Sequence, residues 1–158
     1  MKVVFFDVDG VLNTTKTTRI LFGFHFVDTR KVLRLREIVE CTGAVLVMSS
    51  SWRYGFQENA LFIEKEMLLA LEKEFKRLRC PLWIDHAPFL SGSKRQKEIW
   101  AWLFQHPEVD KFIIIDDVGE ELELYKDHLV LTNPREGLTK ERMNCAIQML
   151  GGRECRTD

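Results

Sequence analysis

Two short apolar runs in this chain each end in a pair of carboxylates: Val3-Val4-Phe5-Phe6 leads into Asp7-Val8-Asp9-Gly10, and Phe112-Ile113-Ile114-Ile115 into Asp116-Asp117. If these ends lie side by side, the carboxylates repel one another and cannot all stay ionised unless a cation sits among them. Oxygen ligands without His or Cys select Mg2+, which keeps several waters and takes one or two carboxylates together with substrate phosphate. The pattern therefore implies a metal and a phosphorylated substrate, with Asp7, Asp9, Asp116 and Asp117 as candidate ligands.

The spacing of Asp7 and Asp9 suggests a division of labour. Two residues apart, they share a face on a regular strand, and a turn at Gly10 swings the second beside the first. One can attack phosphorus to give an aspartyl-phosphate while the other handles the protons of the leaving oxygen and the incoming water. Spacing alone leaves open which does which.

Phosphoryl transfer also needs donors and positive charge around the equatorial oxygens. Ser49, the first residue after a third apolar run (Ala44 to Met48), is the candidate hydroxyl. Backbone N–H groups near Val8 and Ser50 can join it, and Ser50 and Ser51 can equally cap the next helix. A cation at a helix start can come from Lys94, Arg95 or Lys97: Arg95 best fits the spacing to Glu98-Ile99, Lys94 is nearest the helix start, and Lys97 suits helix surface. Arg53, beside Trp52 and Tyr54, can grip a second phosphate or stack on a base, or simply pack on those rings. Asp-Gly is also an ordinary turn signal, and one of Asp116 and Asp117 can serve as a cap before Gly119-Glu120-Glu121.

These groups need a scaffold. The three apolar runs read as buried parallel strands, continuous rather than alternating, and Leu82 to Ile84 and Leu129 to Leu131 bring the number to about five. Between them lie helical patterns: one capped by Asp28 with an apolar face of Val32, Leu35, Ile38 and Val39, ending at Gly43; a long one from about Glu58 to Arg79; one opened by Ser93; and one from Thr139 to Leu150. Alternating strands and helices predict an α/β fold, a three-layer α/β/α sandwich on a mostly parallel five-stranded sheet. Ligands of such sheets bind beyond the carboxyl ends of the strands, where Asp7, Ser49 and Asp116 all fall.

Composition sets the outer bounds. With 158 residues, 46% hydrophobic and 30% charged, the chain is expected to form one domain over residues 1–150, with a disordered tail at 151–158. A net charge of -1 gives no overall attraction to nucleic acid or an anionic membrane. No apolar stretch approaches the roughly 20 residues of a membrane span, and no secretory apolar core follows the start. Cys41, Cys80, Cys145 and Cys155 lack C-x-x-C spacing and are expected to be four free thiols in the cytoplasm.

Asp7-Val8-Asp9-Gly10-Val11-Leu12-Asn13 resembles the first motif of the haloacid dehalogenase-like (HAD) phosphohydrolases. Ser49, the Ser93-Lys94-Arg95-Gln96-Lys97 segment and Asp116-Asp117 are similar to the second, third and fourth, in the right order. The resemblance implies a Rossmann-like HAD sheet, Asp7 as nucleophile and Asp9 as acid/base. It also implies Mg2+ on Asp7, the Asp9 backbone carbonyl, and Asp116 or Asp117. Ser49-Ser50-Ser51-Trp52-Arg53, Arg95 to Leu103 and Gly137-Leu138-Thr139 look more narrowly like the small HAD domains of multi-enzyme RNA repair proteins.

In HAD enzymes specificity usually comes from cap domains, and neither insertion point here has room for a large one. Thr14 to Phe26, with Lys16, Arg19 and His25 among Phe22, Phe24 and Phe26, takes the place of the HAD flap. The expected activity is Mg2+-dependent phosphomonoester hydrolysis through an aspartyl-phosphate. An open site admits a large substrate end, such as a nucleic acid terminus or a phosphoprotein, and the favoured substrate is a polynucleotide or nucleotide phosphate, with Ser50, Arg53 and Gly10 as further substrate contacts. The alternatives are a receiver-like signalling module and a non-catalytic HAD-like binding domain.

Overall fold

The computed structural model describes residues 1–152. In chain order these form β1 (Lys2–Phe6), a hairpin of β2 (Ile20–Leu21) and β3 (Phe24–His25), α1 (Thr29–Thr42), β4 (Val45–Met48) and α2 (Phe62–Arg77). There follow β5 (Asp85–His86), α3 (Arg95–Gln105), β6 (Lys111–Asp116), β7 (Leu129–Leu131) and α4 (Lys140–Met149), with a short 3-10 helix at Ser51–Phe56 after β4. The sheet order is β5-β4-β1-β6-β7, and every neighbouring pair is parallel. This is the expected α/β/α sandwich on a five-stranded sheet. Renumbered within the sheet, the order is 3-2-1-4-5, a doubly wound topology that reverses direction beside the first strand.

β1 shows why the continuous apolar run becomes a central strand. Val4 and Phe6 face a core shared with Leu35, Leu71 and Ala146 from α1, α2 and α4. Val3 and Phe5 face the opposite core, with Ile99 and Trp102 of α3. All four side chains are fully buried, and each contributes about 1.5–3 kcal/mol by leaving water. A polar residue in either register would strand a group between layers.

The helix boundaries follow local capping. Asp28 accepts from the Arg30 N–H at 2.8 Å, and α1 stops at Gly43, whose φ of 68° suits glycine. α2 begins at Phe62, later than the expected start near Glu58, because the Glu64 carboxylate accepts from the Leu61 N–H at 2.8 Å and fixes the first turn there. Ser93 does not open α3: its hydroxyl donates to the Leu90 carbonyl, and Lys94 holds the cap position.

Two further expectations need correction. Leu82 to Ile84 is not a strand. The edge ladder forms at Asp85–His86, paired with Val47 and Met48, while Leu82 and Ile84 are exposed. An edge strand is chosen by backbone pairing to one neighbour, so its side chains need not be apolar. Trp102 Nε1 also donates to Asp85 Oδ2 at 2.8 Å and ties that edge to α3. The second correction is at Cys41, which is disulfide-bonded, whereas Cys80 and Cys145 are free. Spacing along the chain does not report pairings made in space, and the thiol argument for a reducing compartment loses this residue. Burial pushes the Cys80 thiol up to about 12, so it is unreactive.

Gly151 and Gly152 close α4 through hydrogen bonds to Gln148 and Ile147; residues 153–158 of the expected tail lie outside the described residues. Among the described residues no helix is long and apolar enough to cross a membrane, and no cap domain interrupts the order of elements.

Candidate active site

Strand register alone brings the first groups together. Phe6 pairs with Met48 on one side and Ile115 on the other, so the next residues, Ser49, Asp7 and Asp116, stand in one row. The ladder continues through that row: the Asp7 N–H donates to Ile115 O at 3.0 Å and the Ser49 N–H to Phe6 O at 3.0 Å. Asp117 joins by proximity, and one carboxylate oxygen from each of Asp7, Asp116 and Asp117 lies within 4.8 Å of the others.

The charge of this cluster is partly compensated by Arg95 in the first turn of α3. Arg95 Nη1 donates to Asp7 Oδ2 at 2.8 Å and makes an ion pair with Asp116 Oδ2. Burial opposes the Arg95 charge, but Asp7 and Asp116 hold its pKa above the ordinary value. Asp116 is fully buried, and burial followed by the Asp7 charge pushes it up to about 6 against the pull of Arg95. Burial and Asp7 raise Asp117 as well. One guanidinium thus serves carboxylates that still favour a further cation.

The loop after β1 is built for close approach. Gly10 has φ of 71°, and a Cβ there would lie 2.2 Å from Asp117 Oδ2, so only glycine lets the two strand ends meet. The Gly10 carbonyl accepts from Thr132 Oγ1 at 2.8 Å and its N–H donates to Asn13 Oδ1 at 3.1 Å. Asp7 Oδ1 accepts from the Val8 N–H at 2.7 Å. Asp9 stands apart: it is exposed, its Oδ1 accepts from Asn13 Nδ2 at 2.8 Å and its Oδ2 from Trp52 Nε1 at 3.0 Å. Its side chain is outside the three-carboxylate cluster.

The remaining sequence candidates separate. Ser49 Oγ is buried and has no hydrogen-bond partner among the described residues, an orphan donor in the row with Asp7. Ser50 Oγ caps the 3-10 helix by accepting from the Trp52 N–H at 3.3 Å. Lys94 and Lys97 are exposed, and Lys94 Nζ reaches only the Glu120 carbonyl, at 3.4 Å. Arg53 is not a surface group: it is 2% exposed and every guanidinium nitrogen is engaged inside the protein, which weighs against the expected grip on a second phosphate. It does pack over the rings of Tyr54 and Phe89, as the plainer reading of its aromatic neighbours has it. The buried Glu98 beneath it is the reason the fork turns inward.

An open cavity of about 630 Å³ adjoins the cluster through Asp117, and Asp9, Asn13, Phe24, Trp52 and Tyr54 are among its lining residues. Phe24 and His25 belong to the β2–β3 flap, which turns tightly at Phe22 (φ 50°) and Gly23 (φ 83°). Of the other flap groups, Arg19 is paired with Glu74 at 2.7 Å and Phe26 is buried, with Trp52 beside it at 6.2 Å. Sequence reasoning gave no role to Asn13, Trp52, Glu98 or Thr132. Asn13 and Trp52 lie within the quoted motifs, but Thr132 carries no local signal.

The family model for the HAD domain in Swiss Army Knife RNA repair proteins matches residues 3–143. No curated protein and no solved structure matches the chain.

Proposed function

The chain belongs to the family of HAD domains in Swiss Army Knife RNA repair proteins, and from that premise we propose that residues 1–150 act as a Mg2+-dependent phosphomonoesterase. The reaction passes through an aspartyl-phosphate on Asp7, and the favoured substrate is a polynucleotide or nucleotide phosphate. The observation that carries this reading is the row of Ser49, Asp7 and Asp116, with Arg95 and Asp117 closing around it.

The donor set fits Mg2+: three carboxylates, no nitrogen or sulfur ligand among the described residues, and two aspartates raised first by burial and then by the neighbouring Asp7 charge. Held by Asp7, Asp116 and Asp117, the ion would supply Lewis-acid stabilisation of the phosphate oxygens. The protein groups do the rest. A carboxylate oxygen of Asp7 attacks phosphorus in line with the leaving oxygen, forming the P–O bond to Asp7 as the ester P–O bond breaks. Asp9, on the cavity wall, gives the leaving oxygen its proton. It then takes a proton from the water that cleaves the aspartyl-phosphate and frees Asp7. Arg95 and the orphan Ser49 hydroxyl stabilise the equatorial oxygens.

The receiver-like alternative calls for the flavodoxin-like strand order 2-1-3-4-5, and this sheet has 3-2-1-4-5. A non-catalytic binding domain would not require a carboxylate held at both oxygens beside a cavity, as Asp9 is.

The test is phosphate release from an aryl phosphate with Mg2+ by the wild type, Asp7→Asn and Asp9→Asn. Asp7→Asn is expected to fall to background and Asp9→Asn to lose about 10²–10⁴-fold. Absence of Mg2+- and Asp7-dependent release from every phosphoester in a broad panel would sink the reading. Within that panel, 3′- and 5′-phosphorylated oligonucleotides should outperform sugar phosphates.

A further inference from the structure

Trp52 belongs to two structures at once. Its ring lines the 630 Å³ cavity, and its indole N–H donates to Asp9 Oδ2 at 3.0 Å. The cavity lining is largely apolar, with Phe24, Tyr54, Leu61, Ile63 and Met67 beside Trp52, and Asp9 and Asn13 among its polar groups. Among the described residues no Lys or Arg lines this cavity. A phosphodiester backbone would therefore find no counter-charge there, whereas a flat neutral ring finds aromatic faces to stack on. The volume lies within the roughly 300–1,000 Å³ of small-molecule sites.

The chemistry fixes which part of a substrate lies here. Asp9 protonates the leaving oxygen, so the leaving group extends from phosphorus toward Asp9 and into the cavity that Asp9 borders. Resting on the phosphatase reading above, we propose that the cavity seats a terminal nucleoside as the leaving group, its base stacked among Trp52, Tyr54 and Phe24. In this arrangement Trp52 is the specificity-determining residue. The ring that receives the base also holds the carboxylate that must meet the ester oxygen, and Asn13 Nδ2 at 2.8 Å fixes the other oxygen of that carboxylate. A phosphate ester with no planar group can reach Asp7, but it is not drawn against Asp9.

The experiment compares kcat/KM for nucleoside 3′- and 5′-monophosphates with that for glycerol phosphate. A base stacked on an aromatic side chain is worth about 1–3 kcal/mol, a factor of roughly 5–150. The wild type should prefer the better nucleotide by that order, and Tyr54→Ala and Phe24→Ala should each reduce the ratio about five-fold or more through KM. Trp52→Phe keeps a ring and removes the donor, so nucleotide KM should stay within about two-fold while kcat drops about ten-fold.

Binding is read separately in Asp7→Asn, where a nucleoside monophosphate should quench indole emission. That quench should vanish when Trp52→Phe is added, because Trp83, Trp100 and Trp102 do not line the cavity. Asp7-dependent hydrolysis with a nucleotide-to-glycerol phosphate ratio near one, untouched by Tyr54→Ala and Phe24→Ala, would overturn the nucleoside site and leave the phosphatase reading standing. Trp52-dependent quenching without hydrolysis of any ester would support the site while the phosphatase reading fell. Neither quenching nor hydrolysis would overturn the nucleoside site too.

Discussion

Replacing Arg53 by Met should be among the most damaging single changes in this protein, because its whole guanidinium is engaged inside the fold. Its Nε donates to Ala87 O at 3.1 Å, Nη1 to Ser49 O at 2.7 Å and Ser50 O at 2.9 Å, and Nη2 to Glu98 Oε2 at 2.5 Å. Glu98 is 7% exposed, and its other oxygen accepts from the Leu90 N–H at 3.2 Å. One planar fork thus binds the Ser49 loop, the end of β5 and α3, the helix that carries Arg95 one turn before Glu98. Methionine fills much of the volume but leaves a buried carboxylate unpaired and removes the side-chain donor from three carbonyls. Breaking such a pair costs about 3–5 kcal/mol, a large share of the 5–15 kcal/mol of a typical domain. At about 2–4 °C per kcal/mol for a chain of this size, Tm should fall by roughly 6–20 °C. Glu98→Gln, which keeps shape and one acceptor, should cost about 1–3 kcal/mol. Urea unfolding of Arg53→Met, Glu98→Leu and the double variant closes a thermodynamic cycle. The double variant should cost at least about 1 kcal/mol less than the sum, because the stranded charge is gone. An Arg53→Met cost below about 1 kcal/mol, or strict additivity, would refute the clamp. Undiminished stability with a raised KM would instead restore Arg53 as a substrate contact.

Other perturbations test the site and the scaffold separately. Mg2+ at ten times its Kd should stabilise the protein by about 1.4 kcal/mol, read as a rise in Tm at pH 7.5. Because the Asp116 carboxyl is pushed up to about 6, a proton displaces the cation as pH falls through 6, so the rise should shrink by pH 5; an equal rise at both pH values would count against Asp116 as a ligand. Gly10→Ala places a methyl 2.2 Å from Asp117 Oδ2 at φ 71°, and should cost about 1–3 kcal/mol and weaken Mg2+ binding in calorimetry. Glu74, buried between Arg77 and Arg19, has its carboxyl lowered to about 2 from an ordinary 4.5 by those partners, despite burial. A depressed acid stabilises the fold above its unfolded pKa and loses that contribution as pH falls from about 4.5 toward 2. Since both arginines are largely in solvent, the effect is about 1 kcal/mol, and the stability difference between wild type and Glu74→Gln should close over that interval of an acid titration.

How much was legible before the structure depends on whether a property is local. The central strands were readable because burial on both faces forces a continuous apolar run, and the row of Ser49, Asp7 and Asp116 follows once those runs are aligned in parallel register. Helix ends at Asp28 and Gly43 were equally local. The edge strand was misplaced because Asp85–His86 is selected by pairing with Val47 and Met48 and by Trp102, none of which is near it in sequence. The burial of Arg53 was hidden for the same reason. Beside Trp52 and Tyr54 it looks like a recognition residue, and only the arrival of Glu98 from α3 turns it inward. The Cys41 disulfide, too, belongs to relations that spacing does not encode.

The two carboxylates of the first loop show what geometry adds to a motif. Their spacing is symmetric with respect to role, so sequence alone left the nucleophile open. Their surroundings are not symmetric. Asp7 is buried in the cluster, with one oxygen held by the Val8 N–H and the other facing Arg95, a position that suits a group meeting phosphorus among cations. Asp9 is exposed, lines a largely apolar cavity and is held by two neutral donors, a position that suits proton exchange with a leaving group or water. The HAD resemblance assigned the same roles by analogy, and the different partners of the two side chains supply a physical reason for that assignment which does not depend on the family.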